Sequence, residues 1–272
     1  MTGAPPPAEL PETTSPVARA GGVAAASVIS EFLRVQGDVA PRSAMSRVFG
    51  RSPLSSDSRP WYLGSLGELE VAERLSRLSP EWTVLHSVPV GTRGSDIDHL
   101  VIGPGGVFTI NTKFHEDANV WLGTHRLLVN GQKTDHLRNA RFEASRVAKL
   151  LTRVAHAPVS ASGIVALVGV KQITVKNRPT DVPVLRDSEL IRWLHTQPEV
   201  LAPDFRVRLA RIATNPSTWG GETLVPDLAA FGVIRRTVEG ARRVRLAWGF
   251  ALLLLVPAST LGLSTRFFSL LG

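Results

Sequence analysis

Hydrophobic residues recur at Leu69, Ala72, Leu75 and Leu78, a spacing that predicts a helix over residues 65–78. Projected around that helix, Glu68 falls inside the apolar arc, whereas Glu70, Glu73, Arg74 and Arg77 gather on the opposite side. One carboxylate therefore faces inward. Three β-prone runs follow at 82–90, 97–102 and 107–113, the last two separated by Gly103, Pro104, Gly105 and Gly106, which predicts a tight antiparallel hairpin. A further run at 119–129 precedes a long helix over 134–154, whose buried face carries Leu137, Ala140, Ala144, Val147 and Leu151. Near-continuous apolar or β-branched stretches at 164–170 and 173–175 suit strands covered on both sides, and 182–185 gives a last short strand. Residues 188–195 and 198–214 read as helices. The order helix, strands, helix, strand predicts an α/β sandwich.

The flanks differ in character. Residues 1–60, rich in Pro, Ala, Ser and Gly, read as a mostly disordered arm with one short apolar stretch at 28–35 able to form a docking helix. The ordered domain is expected over 61–214, then a linker and basic segment over 215–245. Residues 246–263, LAWGFALLLLVPASTLGL, carry no charge, and as a helix about 18 residues long they reach roughly 27 Å. A single transmembrane helix is expected at 246–264, with a short outer tail at 265–272. Arg235, Arg236, Arg242, Arg243 and Arg245 precede the segment and only Arg266 follows it, so the positive-inside rule places the ordered domain in the cytoplasm. Trp248 suits the aromatic belt of that span. The first residues have neither the basic nor the apolar region of a signal peptide.

Composition narrows the chemistry. The formal charge of +8 points to phosphate or anionic lipid as a partner, and the arginines before the tail account for about half of it. With no cysteine, disulfides, thiolate metal sites and cysteine nucleophiles are excluded. No phosphate-binding glycine loop, no serine-hydrolase elbow and no zinc spacing among the seven histidines is present.

In the run at 107–113, alternation puts Thr109, Asn111 and Lys113 on one face and Phe108 and Ile110 on the other, with Asp98 on the neighbouring hairpin strand. An acid to bind Mg²⁺, a second oxygen ligand, and a lysine that steers water and balances phosphate charge make a recognisable combination. Inward-facing Glu68 is a third acid, and Asp96 shares the face of Asp98 if the strand reaches it. The chain has five lysines against twenty-six arginines, which makes a lysine at position 113 less arbitrary. The plain alternative is that Asp98 caps a turn and Lys113 is a solvated strand-end charge.

Gly67-Glu68, then Ile97-Asp98-His99 with the following VIGPGGVF, then Asn111-Thr112-Lys113 resemble the nuclease-related domain (NERD) of the restriction-endonuclease-like, PD-(D/E)xK class, over about residues 61–200. The resemblance implies a restriction-endonuclease-like α/β sandwich with a central mixed sheet. It also implies Glu68 as the acid of the first core helix, Asp98 as the metal-binding aspartate and Lys113 as the lysine of the E-x-K motif. Asn111 stands where the family usually has its second acid. The expected metal ligands are Asp98, Asn111 and Glu68, the expected cofactor Mg²⁺ or Mn²⁺, and the expected substrate a nucleic acid. His99 and His115 flank this site as proton carriers, ligands or supporting groups. A row of Arg138, Arg146, Lys149 and Arg153 on the second long helix offers a track for a nucleic-acid backbone or lipid head groups, or is a solvated face. The leading reading is a membrane-tethered Mg²⁺-dependent nuclease. Its alternative is an attenuated module that binds nucleic acid or a protein partner at the membrane, and a scaffold role resting on the long amino-terminal arm ranks third.

Overall fold

The computed structural model describes residues 22–90, 96–221 and 224–269, with side chains through residue 253. The chain forms two compact units, one of Met1–Ser27 with Gly64–Val225 and the other of Val28–Leu63 with Pro226–Gly272. Helices α1 (Ala26–Gly37), α2 (Ala44–Val48) and α3 (Ser58–Leu75) precede the first strand.

The first unit is built on a mixed sheet. Its strands are β1 (Thr83–Pro89), β2 (Asp96–Gly103), β3 (Gly106–Phe114), β7 (Ala161–Val168) and β9 (Val184–Arg186), in that spatial order. The glycine turn at 103–106 closes the expected antiparallel hairpin, with Gly103 opposite Gly106 and the paired register running to His99 opposite Ile110. Strand β3 is parallel to β7, which requires the crossover supplied by α4 (His136–Ala155). A second sheet holds β4 (Asn119–Gly123), β5 (Arg126–Val129), β6 (Gln132–Thr134) and β8 (Gln172–Val175), so the single run read at 119–129 is in fact a hairpin. A turn at Asp187–Glu189, α5 (Leu190–His195) and α6 (Pro203–Thr214) complete the unit.

Both faces of the main sheet are covered. On one, Val147 and Leu151 of α4 and Leu209 and Ala213 of α6 pack with Leu85, Leu100 and Ile102. On the other, Val71 and Leu75 of α3 and Leu190 and Leu194 of α5 pack with Val101, Phe108, Ile110 and Ile164. This is the α/β sandwich that the order of elements predicts, with the central mixed sheet that the family resemblance implies. Two glycines let the helices come close to it. A Cβ on Gly67 would lie 3.1 Å from Phe114 Cβ and 3.4 Å from Thr112 Cγ2, and one on Gly163 would lie 2.4 Å from the Ala140 carbonyl oxygen. The first holds α3 against β3; the second holds α4 against β7.

The second unit is helical. Phe32, Tyr62 and Phe231 form a ring cluster with centroids 5.5 to 6.0 Å apart, the last from α7 (Leu228–Ser269). Gln36 accepts from Ser58 Oγ at 2.6 Å, and Trp248 Nε1 donates to the Val48 carbonyl at 2.8 Å.

Two expectations for the flanks need correction. Within the stretch read as a mostly disordered arm, residues 26–37 are a helix whose Ile29 and Phe32 are fully buried, because tertiary burial stabilises a segment too short to hold helix alone. Residues 1–21 lie outside the described residues. The basic segment read as linker is helical from Leu228 onward, and Trp248, expected in an aromatic belt, is bound to Val48. Among the described residues, no helix is long and apolar enough to cross a membrane. The span expected at 246–264 falls, from residue 254, outside the described side chains.

The close approach at Gly163 is testable. Gly163→Ala places a methyl group against a backbone oxygen that only a shift of α4 can relieve, and it should lower unfolding free energy by about 1–3 kcal/mol. A denaturant midpoint equal to the wild type's would show that α4 is not held there.

Candidate active site

Strands β2 and β3 part beyond the His99–Ile110 pair, while β2 remains paired to β1 as far as Asp96. Backbone groups released from a ladder must find other partners. At this split the Thr112 amide donates to Asp98 Oδ2 at 2.6 Å, so a side chain replaces the missing strand contact. The same bond fixes the carboxylate between Asn111 and Lys113.

Glu68 arrives from α3 beside Gly67 and is buried, and its Oε2 has no hydrogen-bond partner. Burial, then the nearby charges of Asp98 and Asp96, push its carboxyl well above the usual range, with Lys113 acting in the opposite direction. Asp98 is also raised, by burial first, against the pull of Lys113 and the Thr112 amide. Asp96 opens β2 and accepts from Ser27 Oγ at 2.5 Å. The four residues singled out from sequence are therefore brought together: Asp98, Asn111 and Lys113 at the strand split, and Glu68 within electrostatic reach of Asp98 and Lys113.

One participant was missed. Glu143 of α4 accepts from Asn111 Nδ2 at 2.5 Å, leaving its own Oε2 and the Asn111 Oδ1 buried without partners. Burial and then Asp98 push its carboxyl up to about 7, although Lys113 and the Asn111 bond pull it down. The signal was in the sequence. Glu143 lies three residues after Ala140 and four before Val147, at the margin of the apolar arc of α4, whereas Glu68 lies inside the arc of α3.

Burial lowers the pKa of both flanking histidines. His99 is fully buried with its Nδ1 2.8 Å from His86 Nδ1, and burial holds His86 down at about 4 and His99 well below its ordinary value. His115 faces His136 with Nε2 atoms 3.1 Å apart; His136 is lowered to about 4, by burial and then Lys113. The basic row on α4 is partly occupied, since Arg138 pairs with Asp135 and the Arg146 guanidinium donates to the Val90 carbonyl.

Unpaired buried oxygens each cost about 1–3 kcal/mol, so the two on the bonded Asn111–Glu143 pair, and the one on Glu68, favour a cation or protons. Carboxylate and amide oxygens are hard donors suited to Mg²⁺ or Mn²⁺. Among the described residues, no group of three or more histidine, aspartate or glutamate side chains is gathered to hold a metal unaided. Mg²⁺ does not need one, because it keeps several waters and takes one or two carboxylates together with substrate phosphate. The residues present therefore fit such an ion.

Residues 63–168 match the family model of the nuclease-related domain, NERD. This stretch is a nuclease-related domain. It contains Glu68, Asp98, Asn111, Lys113 and Glu143, so the whole strand split lies within the matched span. The chain is also similar to an uncharacterized protein of Bacillus anthracis, 44% identical over 61 residues, which is 21% of this chain and 29% of the relative. The match thus spans under a third of that relative's length. No solved structure matches the chain.

Glu143 makes the nuclease-related domain sensitive to pH in a defined direction. Folded, it keeps its proton to about 7; unfolded, it releases it near 4.5. Stability from the protonated form is complete below 4.5 and is lost as pH rises through about 7. Glu143→Gln retains an acceptor for Asn111 and cannot ionise. Its melting temperature in EDTA should exceed the wild type's at pH 8, and the gap should close toward pH 4.5. Parallel curves across that range would contradict the burial of this carboxyl.

Proposed function

We propose that the chain is a metal-dependent nuclease that hydrolyses phosphodiester bonds of nucleic acid. The reading is supported by one observation, the Asp98 carboxylate held on the Thr112 amide where β2 and β3 part, between Asn111 and Lys113 in sequence and within electrostatic reach of Glu68, with buried oxygens of Glu68 and Asn111 left unpaired. Asp98, Asn111 and Glu68 would hold Mg²⁺ or Mn²⁺ through oxygen. A bound divalent ion would supply Lewis-acid polarisation of the phosphate and lower the pKa of water. Lys113 would orient the attacking water and offset charge on the phosphate as the new P–O bond forms and the bond to the leaving oxygen breaks. Glu68, buried beside Asp98, excludes bulk water from that side. The positive formal charge of the chain favours approach of a polyanion.

Asn111 favours a second reading in which the domain binds nucleic acid or a protein partner without turnover, because an amide ligates Mg²⁺ more weakly than a carboxylate. Both readings are resolved by incubating the full-length protein with single-stranded DNA, double-stranded DNA and RNA, with Mg²⁺ or Mn²⁺. Catalysis predicts cleavage that EDTA stops and that Lys113→Ala and Asp98→Asn reduce by about 100-fold or more. Identical traces for wild type and Lys113→Ala would leave only binding, which should weaken steeply with salt.

The tail over residues 246–263 anchors the chain in a membrane, with the nuclease-related domain on the cytoplasmic, arginine-flanked side. Phe250, Leu252 and Leu253 are exposed apolar side chains at the start of that segment, directly after Arg242, Arg243 and Arg245, which supports this reading. Removing residues 246–272 should move the protein from the membrane pellet to the supernatant of alkaline carbonate extraction. A full-length protein already in the supernatant would refute the anchor.

A further inference from the structure

The contact between Asn111 and Glu143 has a geometry that a simple packing bond does not explain. Only the amide nitrogen of Asn111 can donate to a carboxylate, so the bond at 2.5 Å sets which way the amide faces. Oδ1 is then the free end. It is buried in a residue only 4% exposed, and it finds no donor. Glu143 uses Oε1 for Asn111 and leaves Oε2 equally buried and unpaired. Glu68, 5% exposed, leaves Oε2 unpaired as well. Three oxygens from three elements are thus held away from water and from donors. Asp98, Asp96 and Lys113 act electrostatically on both glutamates, while the hydrogen bond places Asn111 and Glu143 in direct contact. A bond that served only to fasten α4 to β3 would have no reason to leave these atoms without partners.

We propose that Glu143 supplies the acidic charge that Asn111 lacks, so that the pair, a carboxylate on α4 bonded to an amide on β3, acts as one divalent-cation ligand set. This rests on the reading of Asp98 as a metal ligand. Glu143 also has a second task, since its acceptor oxygen keeps Asn111 Oδ1 turned toward the ion. The role belongs to charge in that place and not to the helix that delivers it. Moving the acid to position 111 and the amide to position 143 reverses the direction of the hydrogen bond, conserves the net charge and keeps both oxygens.

The test is Mn²⁺ binding by full-length protein in detergent, read from the loss of the free-ion electron paramagnetic resonance signal, with melting temperatures to confirm folding. Asp98→Asn and Glu143→Gln should each weaken binding by about tenfold or more. The double variant Asn111→Asp, Glu143→Gln should return to within about threefold of wild type. A folded Glu143→Gln that binds as wild type overturns the inference while leaving Asp98 as a ligand. A double variant that binds no better than Glu143→Gln overturns the interchangeability of the acid, and with it the inference. Wild-type protein that binds no Mn²⁺ overturns both this and the metal-dependent reading of the site.

Discussion

The site depends on one hydrogen bond, from the Thr112 amide to the Asp98 carboxylate. Strands β2 and β3 must separate for any ligand to reach between them, yet a buried backbone amide released from a ladder cannot be left unpaired. Asp98 resolves that conflict by accepting the amide itself. Its carboxylate is thereby fixed at the fork, beside the two residues that flank Thr112 in β3. The placement of this acid and the strand geometry are then one feature, because the group that permits the split is the carboxylate held at it.

The rest of the first unit sets how strongly that carboxylate is felt. Helix α3 approaches one face of β3 at Gly67, and α4 approaches the neighbouring β7 at Gly163. Each helix delivers a glutamate, and in both glutamates burial is the larger cause of the raised pKa and Asp98 the second. Lys113 is the cation that opposes them. Glu68, Asp98 and Glu143 are thus all acted on by one lysine, and burial raises the pKa of each against its pull. The divalent ion proposed for this site would compete with protons there, so its affinity would rise with pH while the metal-free fold loses stability. The substitution of Asn at position 111 moderates this conflict, since a carboxylate there would meet Glu143 directly.

Much of this was legible from periodicity. The inward face of Glu68 on α3, the polar alternation of Thr109, Asn111 and Lys113, and the glycine turn at 103–106 all follow from local spacing, and local spacing survives folding. Glu143 was not found because α4 was read for its apolar arc and its basic row, and a polar residue at the arc's margin belongs to neither. Its role appears only when β3 lies under α4, which is a tertiary fact. The helix at 26–37 escaped for a related reason. Its composition is that of a flexible arm, and only the burial of Ile29 and Phe32 makes it a helix. His99 shows the reverse error. Adjacency to Asp98 in sequence suggests a chemical partner, but alternation turns it to the opposite face, where it meets His86 in the interior.

The matched span of 63–168 holds Glu68, Asp98, Asn111, Lys113 and Glu143, but it does not hold everything that acts on them. Ser27, well before that span, donates to Asp96 Oδ2. Close by, the Ala26 amide donates to Ser87 Oγ on β1, so the segment ahead of the domain is stitched to the outer strand. With one oxygen occupied by Ser27, Asp96 acts on Glu68 and Glu143 chiefly as a fixed negative charge. That charge raises both glutamates in the metal-free state. The electrostatics of the fork therefore extend past the nuclease-related domain, and an isolated 63–168 fragment would lack the hydroxyl that orients one of its acids.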